Sequence, residues 1–134
     1  MQSKHDIPGD HVHQVIIDPI AAGDATELQS LFVAPFTCKI TGVTITPDAA
    51  ATGDNTNTKN LNIHNRGQAG AGTTEIANLD LVTGVDLVAR DEKTIGSGMS
   101  SAVASGDVIA LQVEQVGTGV AIPRSIVKIT YQGA

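Results

Sequence analysis

Fourteen carboxylates, four histidines and one cysteine are the groups through which this 134-residue chain could do chemistry. His11 and His13 stand two apart, so on a strand both rings point to one face. With His5, Asp6 and Asp10 close by they offer imidazole and carboxylate, a donor set that suits several divalent ions. No cysteine or second histidine pair completes such a shell, although three copies of one histidine would converge on a three-fold axis. The plainer reading is a polar face at the foot of an arm. Asp48, Asp54, Asn55 and Asn57 carry oxygens of the kind calcium takes, but the spacing is not that of an EF-hand and the closing glutamate is missing. Asx-rich turns form for local hydrogen-bonding reasons. Gly67-Gln68-Ala69-Gly70-Ala71-Gly72 has the glycines of a phosphate loop. Its order fits no dinucleotide fingerprint, no Lys-Ser/Thr follows, and a strand rather than a helix comes next, so it reads as a tight turn. There is no G-x-S-x-G elbow, and the loops are built of small residues poorly suited to lining a pocket. No catalytic residue, metal ligand or cofactor is assigned, and the chain reads as a non-enzyme. Cys38 reads as a buried, inert thiol.

The elements that would hold these residues are short strands. Lys59–Asn65 alternates Leu61 and Ile63 with Asn60, Asn62 and His64, the period-two pattern of a half-buried strand. In Cys38–Thr46 the residue Ile40 is out of phase with Val43 and Ile45, and Gly42 at the slip predicts a bulge. Val12–Asp18, Leu28–Ala34, Glu75–Val82 (with a one-residue slip), Val85–Ala89, Lys93–Ile95, Val108–Val116 and Ser125–Tyr131 complete the set. Val108–Val116 is apolar enough for a central strand. No window of ten or more residues carries a helical stripe. The pattern predicts an all-β, antiparallel sandwich or jelly roll of about eight strands. Residues 1–11 are expected to form a flexible, extended N-terminal arm and residues 12–134 the β-sandwich domain.

Composition narrows the function classes. A chain this long buries roughly 65–70% of its unfolded surface. With two Phe, one Tyr and no Trp, the core must be aliphatic, and stacking platforms for bases or sugars are poorly supplied. A net charge of −6 with scattered Lys and Arg argues against nucleic acid. The sequence has neither an 18-residue apolar stretch nor a signal peptide, so no membrane partner is expected.

The order VAPFTCKITGVTITPDAAATGDNTNTKNLNIHNRGQAGAGTTEIA, then SGDVIALQVEQVGTGVAIPRSIVKITY, resembles small virion proteins of tailed bacteriophages. In those a VAP strand, a TG-x-NTN loop, an N-x-G-x-AG-x-GTT turn, a GD strand entry and a GTG-x-x-x-P turn recur in that order. The likeness covers about Leu31 to Tyr131. Pro123-Arg124-Ser125 stands where a plainer Pro-Gly turn belongs. The resemblance implies a head decoration (cement) protein, made in the host cytoplasm and bound as a homotrimer to the major capsid protein on the virion exterior. The arm and the residues after it then supply the candidate capsid-binding residues Lys4, His5, Ile7, His11 and His13. The alternative is a carbohydrate- or receptor-binding β-sandwich on a phage head or tail fibre.

Overall fold

Period-two alternation places the strands where the sequence predicts most of them. A computed structural model describes residues 9–134, so Lys4, His5, Ile7 and most of the expected arm lie outside the described residues. The strands are β1 (His11–Ile17), β2 (Glu27–Val33), β3 (Cys38–Pro47), β4 (Lys59–Asn65), β5 (Thr74–Asp80), β6 (Lys93–Gly96), β7 (Ser101–Val103), β8 (Val108–Gln115) and β9 (Ser125–Gly133). One sheet runs β1-β9-β3-β6, with β7 also on β3, and the other β2-β8-β4-β5. All pairs are antiparallel. β6 covers Val43–Ile45 and β7 covers Cys38–Ile40, so the two act as one broken strand along β3. The chain is therefore a rolled hairpin in which β4 pairs β5, β3 pairs β6 and β7, β2 pairs β8, and β1 pairs β9. Rolling sets β9 against β3 and β8 against β4. That is the jelly roll.

The predicted bulge in β3 is present: the register against β9 skips between Ile40 and Gly42, and the Thr41 hydroxyl donates to the Thr130 carbonyl at 3.3 Å. The slip in β5 is a second bulge at Ile76, opposite Ile63 and His64. Three expectations need correction. Val85–Ala89 forms no strand, because only Leu87 finds a partner, in a single bridge to Ala51. β7 is unanticipated. β4 is buried on both faces rather than one: its inner residues Leu61 and Ile63 lie in the core, and on the outer face Asn62 is covered by side chains of the flanking strands, bonding Gln112 at 2.9 Å.

Inward residues of the two sheets fill the core, among them Ile17, Ile40, Ile45, Leu61, Ile63, Leu111, Val113, Val127 and Ile129. Cys38 is buried with them, and burial, then the charge of Asp107, pushes its thiol pKa up. Strand direction sorts the connections between two ends. Residues 18–26, 48–58, 81–92 and 116–124 meet at one, the loop end. Residues 34–37, 66–73 and 104–107 meet at the other, the terminal end, with both ends of the described chain.

Candidate functional site

At the loop end the oxygen-rich residues 48–58 are spent on their neighbours. Asp54 Oδ1 accepts the backbone N–H of Thr56 at 2.6 Å and of Asn57 at 2.8 Å. Asn55 Oδ1 accepts the Thr83 N–H at 3.1 Å, and Thr83 Oγ1 accepts the Asn55 N–H at 3.2 Å. Asn57 Oδ1 accepts both the N–H and the hydroxyl of Thr118 at 3.0 Å. Gly117, at φ 65°, sits so close that a Cβ would strike Asn57 Oδ1 and the Thr56 carbonyl. Asp48 pairs with Arg124 at 2.9 Å on the exposed rim, and its N–H donates to the Arg124 carbonyl. The Pro123-Arg124-Ser125 departure thus ties two loops together. Among the described residues no group of three or more His, Cys, Asp and Glu is placed to hold a metal ion.

Beneath these loops lies a residue whose burial the sequence did not announce. Lys59 is fully buried on the inner side of β4. Its ammonium donates to the carbonyls of Ala21 and Asp24 at 2.9 Å, to Gln115 Oε1 at 2.8 Å, and more weakly to the Ala22 carbonyl at 3.4 Å. Three protons meet three short acceptors, so the buried charge is satisfied without an ion pair. Desolvation lowers its pKa, while the nearby Asp24 and Glu27 carboxylates pull the other way.

The terminal end has its own joint. Asn65 Nδ2 donates to Asp107 Oδ2 at 3.1 Å, which also accepts the Ala104 N–H at 3.0 Å, and Gln68 Nε2 donates to the Ser105 carbonyl at 2.9 Å. Ala34 and residues 106–107 exchange backbone bonds. So the VAP, N-x-G and GD motifs meet here, as TG-x-NTN and GTG meet at the other end. The motifs are the corners of the sandwich. They specify the fold.

What remains for function lies beside the terminal corner. His11 and His13 do share a face, and it is the inward face of β1, in register with Tyr131 and Ile129. His11 stacks on Tyr131 with centroids 5.3 Å apart and 24° between planes, and meets Phe36 edge-on at 5.7 Å. His13 lies 5.2 Å from Phe32, and Phe32 lies 4.9 Å from Tyr131. All three aromatic residues of the sequence therefore gather around the two histidines. The polar-face expectation is corrected for His11, which is half-buried with Nε2 shielded from solvent and lacking a hydrogen-bond partner among the described residues. Burial, then Cys38, raises the Tyr131 pKa. Gln132 Nε2 donates to Asp10 Oδ1 at 2.8 Å, and Gln29 bonds both N–H and carbonyl of Asp18, which ties the free side of β1 to β2. The sequence reading missed Phe32, Phe36 and Tyr131, because residues 32, 36 and 131 become neighbours only when β9 pairs with β3 and the two sheets stack. These rings pack on one another, with Phe32 in the core and Phe36 and Tyr131 half-buried against it. Exposed Val12 and Val33 lie at the same end.

The fold and this cluster define a jelly-roll protein with interlocked corners and one aromatic end. No protein-family model and no curated protein matches the chain. Among solved structures, a chain from the structure of infectious bursal disease virus Gx strain is similar over 93% of this chain, at 12% identity and a TM-score of 0.33. The present chain spans 37% of that one. A likeness of that degree carries no argument about function.

Proposed function

We propose that this chain is a structural virion protein, a decoration protein that binds the outer surface of an assembled bacteriophage capsid as a homotrimer and stabilises the shell. The observation that carries the reading is the division of the surface between the two ends. The four connections of the loop end hold seven carboxylates and two arginines, a net charge of −5 out of the −6 on the whole sequence. The opposite end holds every aromatic ring, both β1 histidines and the point where residues 1–8 lead in. This polarity supports docking by the terminal end with the acidic end toward solvent, where like charge keeps crowded copies apart. The ordered motifs add the resemblance to decoration proteins.

In this reading the major capsid protein and neighbouring copies of the chain are the partners. Lys4, His5, Ile7, His11 and His13 make the contact, joined by Phe36 and Tyr131. Binding only the assembled lattice stabilises it by mass action, and several weak contacts per trimer add through effective concentration. The test is co-sedimentation of the full chain with undecorated phage heads, alongside light scattering for a trimer. Removing residues 1–10 is expected to leave the β circular-dichroism spectrum intact while weakening co-sedimentation. A full chain that stays in the supernatant would refute the function. Undiminished binding by the shortened chain would refute the role of the arm.

A further inference from the structure

The outer face of the β2-β8-β4-β5 sheet carries a shallow depression of about 230 Å³, lined by Thr26, Glu27, Leu28, Arg66 and Gln112. Leu28 and Gln112 are opposite one another and point outward, since Leu111 and Val113 on either side of Gln112 face the core. Glu27, opposite Val113, points inward instead, and its Oε1 accepts from Gln29 Nε2 at 3.1 Å. It therefore lines the depression without offering it a charge, and Arg66 is the charged group that remains. Arg66 directly follows β4 and is held at three points. Its N–H donates to the Val108 carbonyl at 2.7 Å, its carbonyl accepts from the Gly72 N–H at 2.8 Å, and its Nε donates to the Gly70 carbonyl at 3.2 Å. The Nη groups are left over. Among the described residues they have no hydrogen-bond partner, and the half-buried guanidinium joins no ion pair, although Glu75 and Glu114 share the outer face. Gln112 is held as well, its Oε1 accepting from Asn62 Nδ2 at 2.9 Å and its Nε2 donating to the Val113 carbonyl at 3.3 Å, which leaves one Nε2 proton unused. Leu28, 50% exposed, adds an aliphatic surface.

We propose that this depression binds a carboxylate carried on a short aliphatic body. A guanidinium whose Nε is already engaged presents its two Nη groups as a fork, and a carboxylate matches that fork with two parallel hydrogen bonds. The spare Gln112 proton and the Thr26 hydroxyl are further donors to the same oxygens. The aliphatic body rests on Leu28. The space equals about seven or eight waters at about 30 Å³ each, which suits a small acid and not a large one. Because the fork and its neighbours are fixed before the ligand arrives, little freedom is lost on binding. The acidic loop end opposes any anion and the depression is open, so affinity is weak, with a Kd on the order of 10 mM. A free short-chain acid and the C-terminus of a peptide share this chemistry. The inference is independent of the decoration reading, since the depression is formed by residues outside the aromatic cluster.

The test is an NMR titration of the backbone amides of the full chain with isovalerate, with its neutral isostere isovaleramide, and with N-acetyl-leucine as a model of a peptide C-terminus. Isovalerate is expected to shift residues 26–28, 66 and 112 saturably, and isovaleramide to bind at least about tenfold more weakly. Arg66→Gln is expected to weaken isovalerate by a similar factor. Leu28→Ser keeps the test valid should the first variant loosen the 67–72 turn: it alters an exposed side chain, should melt as the parent does, and should weaken isovalerate several-fold while leaving the response to acetate unchanged. N-acetyl-leucine binding above isovalerate points to a peptide C-terminus and the reverse order to a free acid, and either supports the site. Co-sedimentation with phage heads should be the same for the parent and both variants, which separates this result from the decoration test. No saturable shift with either acid, an equal response to isovaleramide, or undiminished isovalerate binding by both variants would overturn the site.

Discussion

Lys59→Met tests whether the loop end is held by its buried ammonium. Methionine keeps the length of the stem and removes three short charge-assisted hydrogen bonds, at 2.8, 2.9 and 2.9 Å. Bonds to charged groups contribute about 1.5–3 kcal/mol each. Against that loss, the variant no longer bears the several kcal/mol cost of taking an ammonium out of water. Ala21 and Asp24 lie on exposed residues, so their carbonyls can turn to water, whereas Gln115 is only partly exposed. We expect a net loss of about 2–4 kcal/mol, a sizeable share of the roughly 13 kcal/mol a chain of this length holds at about 0.1 kcal/mol per residue. The melting temperature should fall by about 10 °C. Hydrogen exchange should quicken at the Ile20–Ile122 bridge, which closes the same loops. The pH dependence has a definite sign. Burial lowers the Lys59 pKa, so between its folded value and the ordinary 10.5 the unfolded chain binds more protons than the native one. Parent stability should rise with pH across that window, and the Met variant should lack the rise. An unchanged or higher melting temperature would sink the argument that the carbonyl cage outweighs the burial cost. A gap between parent and variant that stays constant as the pH rises to 10.5 would sink the linkage.

Leu111→Ala removes a fully buried side chain from β8, between β2 and β4, and should cost about 3 kcal/mol in urea unfolding, with m unchanged. In Gly53→Ala the new Cβ would strike the carbonyls of Val82 and Val85, so the backbone must move. We expect a loss of about 3 kcal/mol in thermal unfolding, close to that of a core cavity. Arg90 holds φ 61° in an exposed turn, so Arg90→Gly should raise stability by about 0.5–1 kcal/mol in the same assay.

Apolar patterning with its glycine and proline punctuation marks eight of the nine strands of the described residues, and β4 to the residue. It failed where packing rather than pattern decides. Ser101–Val103 is too short and polar to register as a strand, yet β3 has a free edge there and takes it. Val85–Ala89 alternates well, but no strand lies alongside. Lys59 reads as a solvated lysine at a strand start until the loop carbonyls of residues 21–24 close over it. His11 and His13 were correctly placed on one face, but alternation cannot say whether a face looks in or out. The aromatic end was invisible for a related reason: its residues meet only when the sheets stack and β9 pairs with β3 and β1, and the two partners of the β1–β9 pairing lie at opposite ends of the sequence.

That pairing also bears on how the molecule is made. β9 is synthesised after the other eight strands of the described residues, yet it occupies an interior place in its sheet, between β1 and β3. Until residues 125–133 leave the ribosome, β1 has no neighbour and the β3 edge that β9 will fill stays open. Only the β4–β5 hairpin can form early from local sequence, and the rest waits on slow, long-range closure. A prematurely terminated chain therefore lacks a middle rather than a tail.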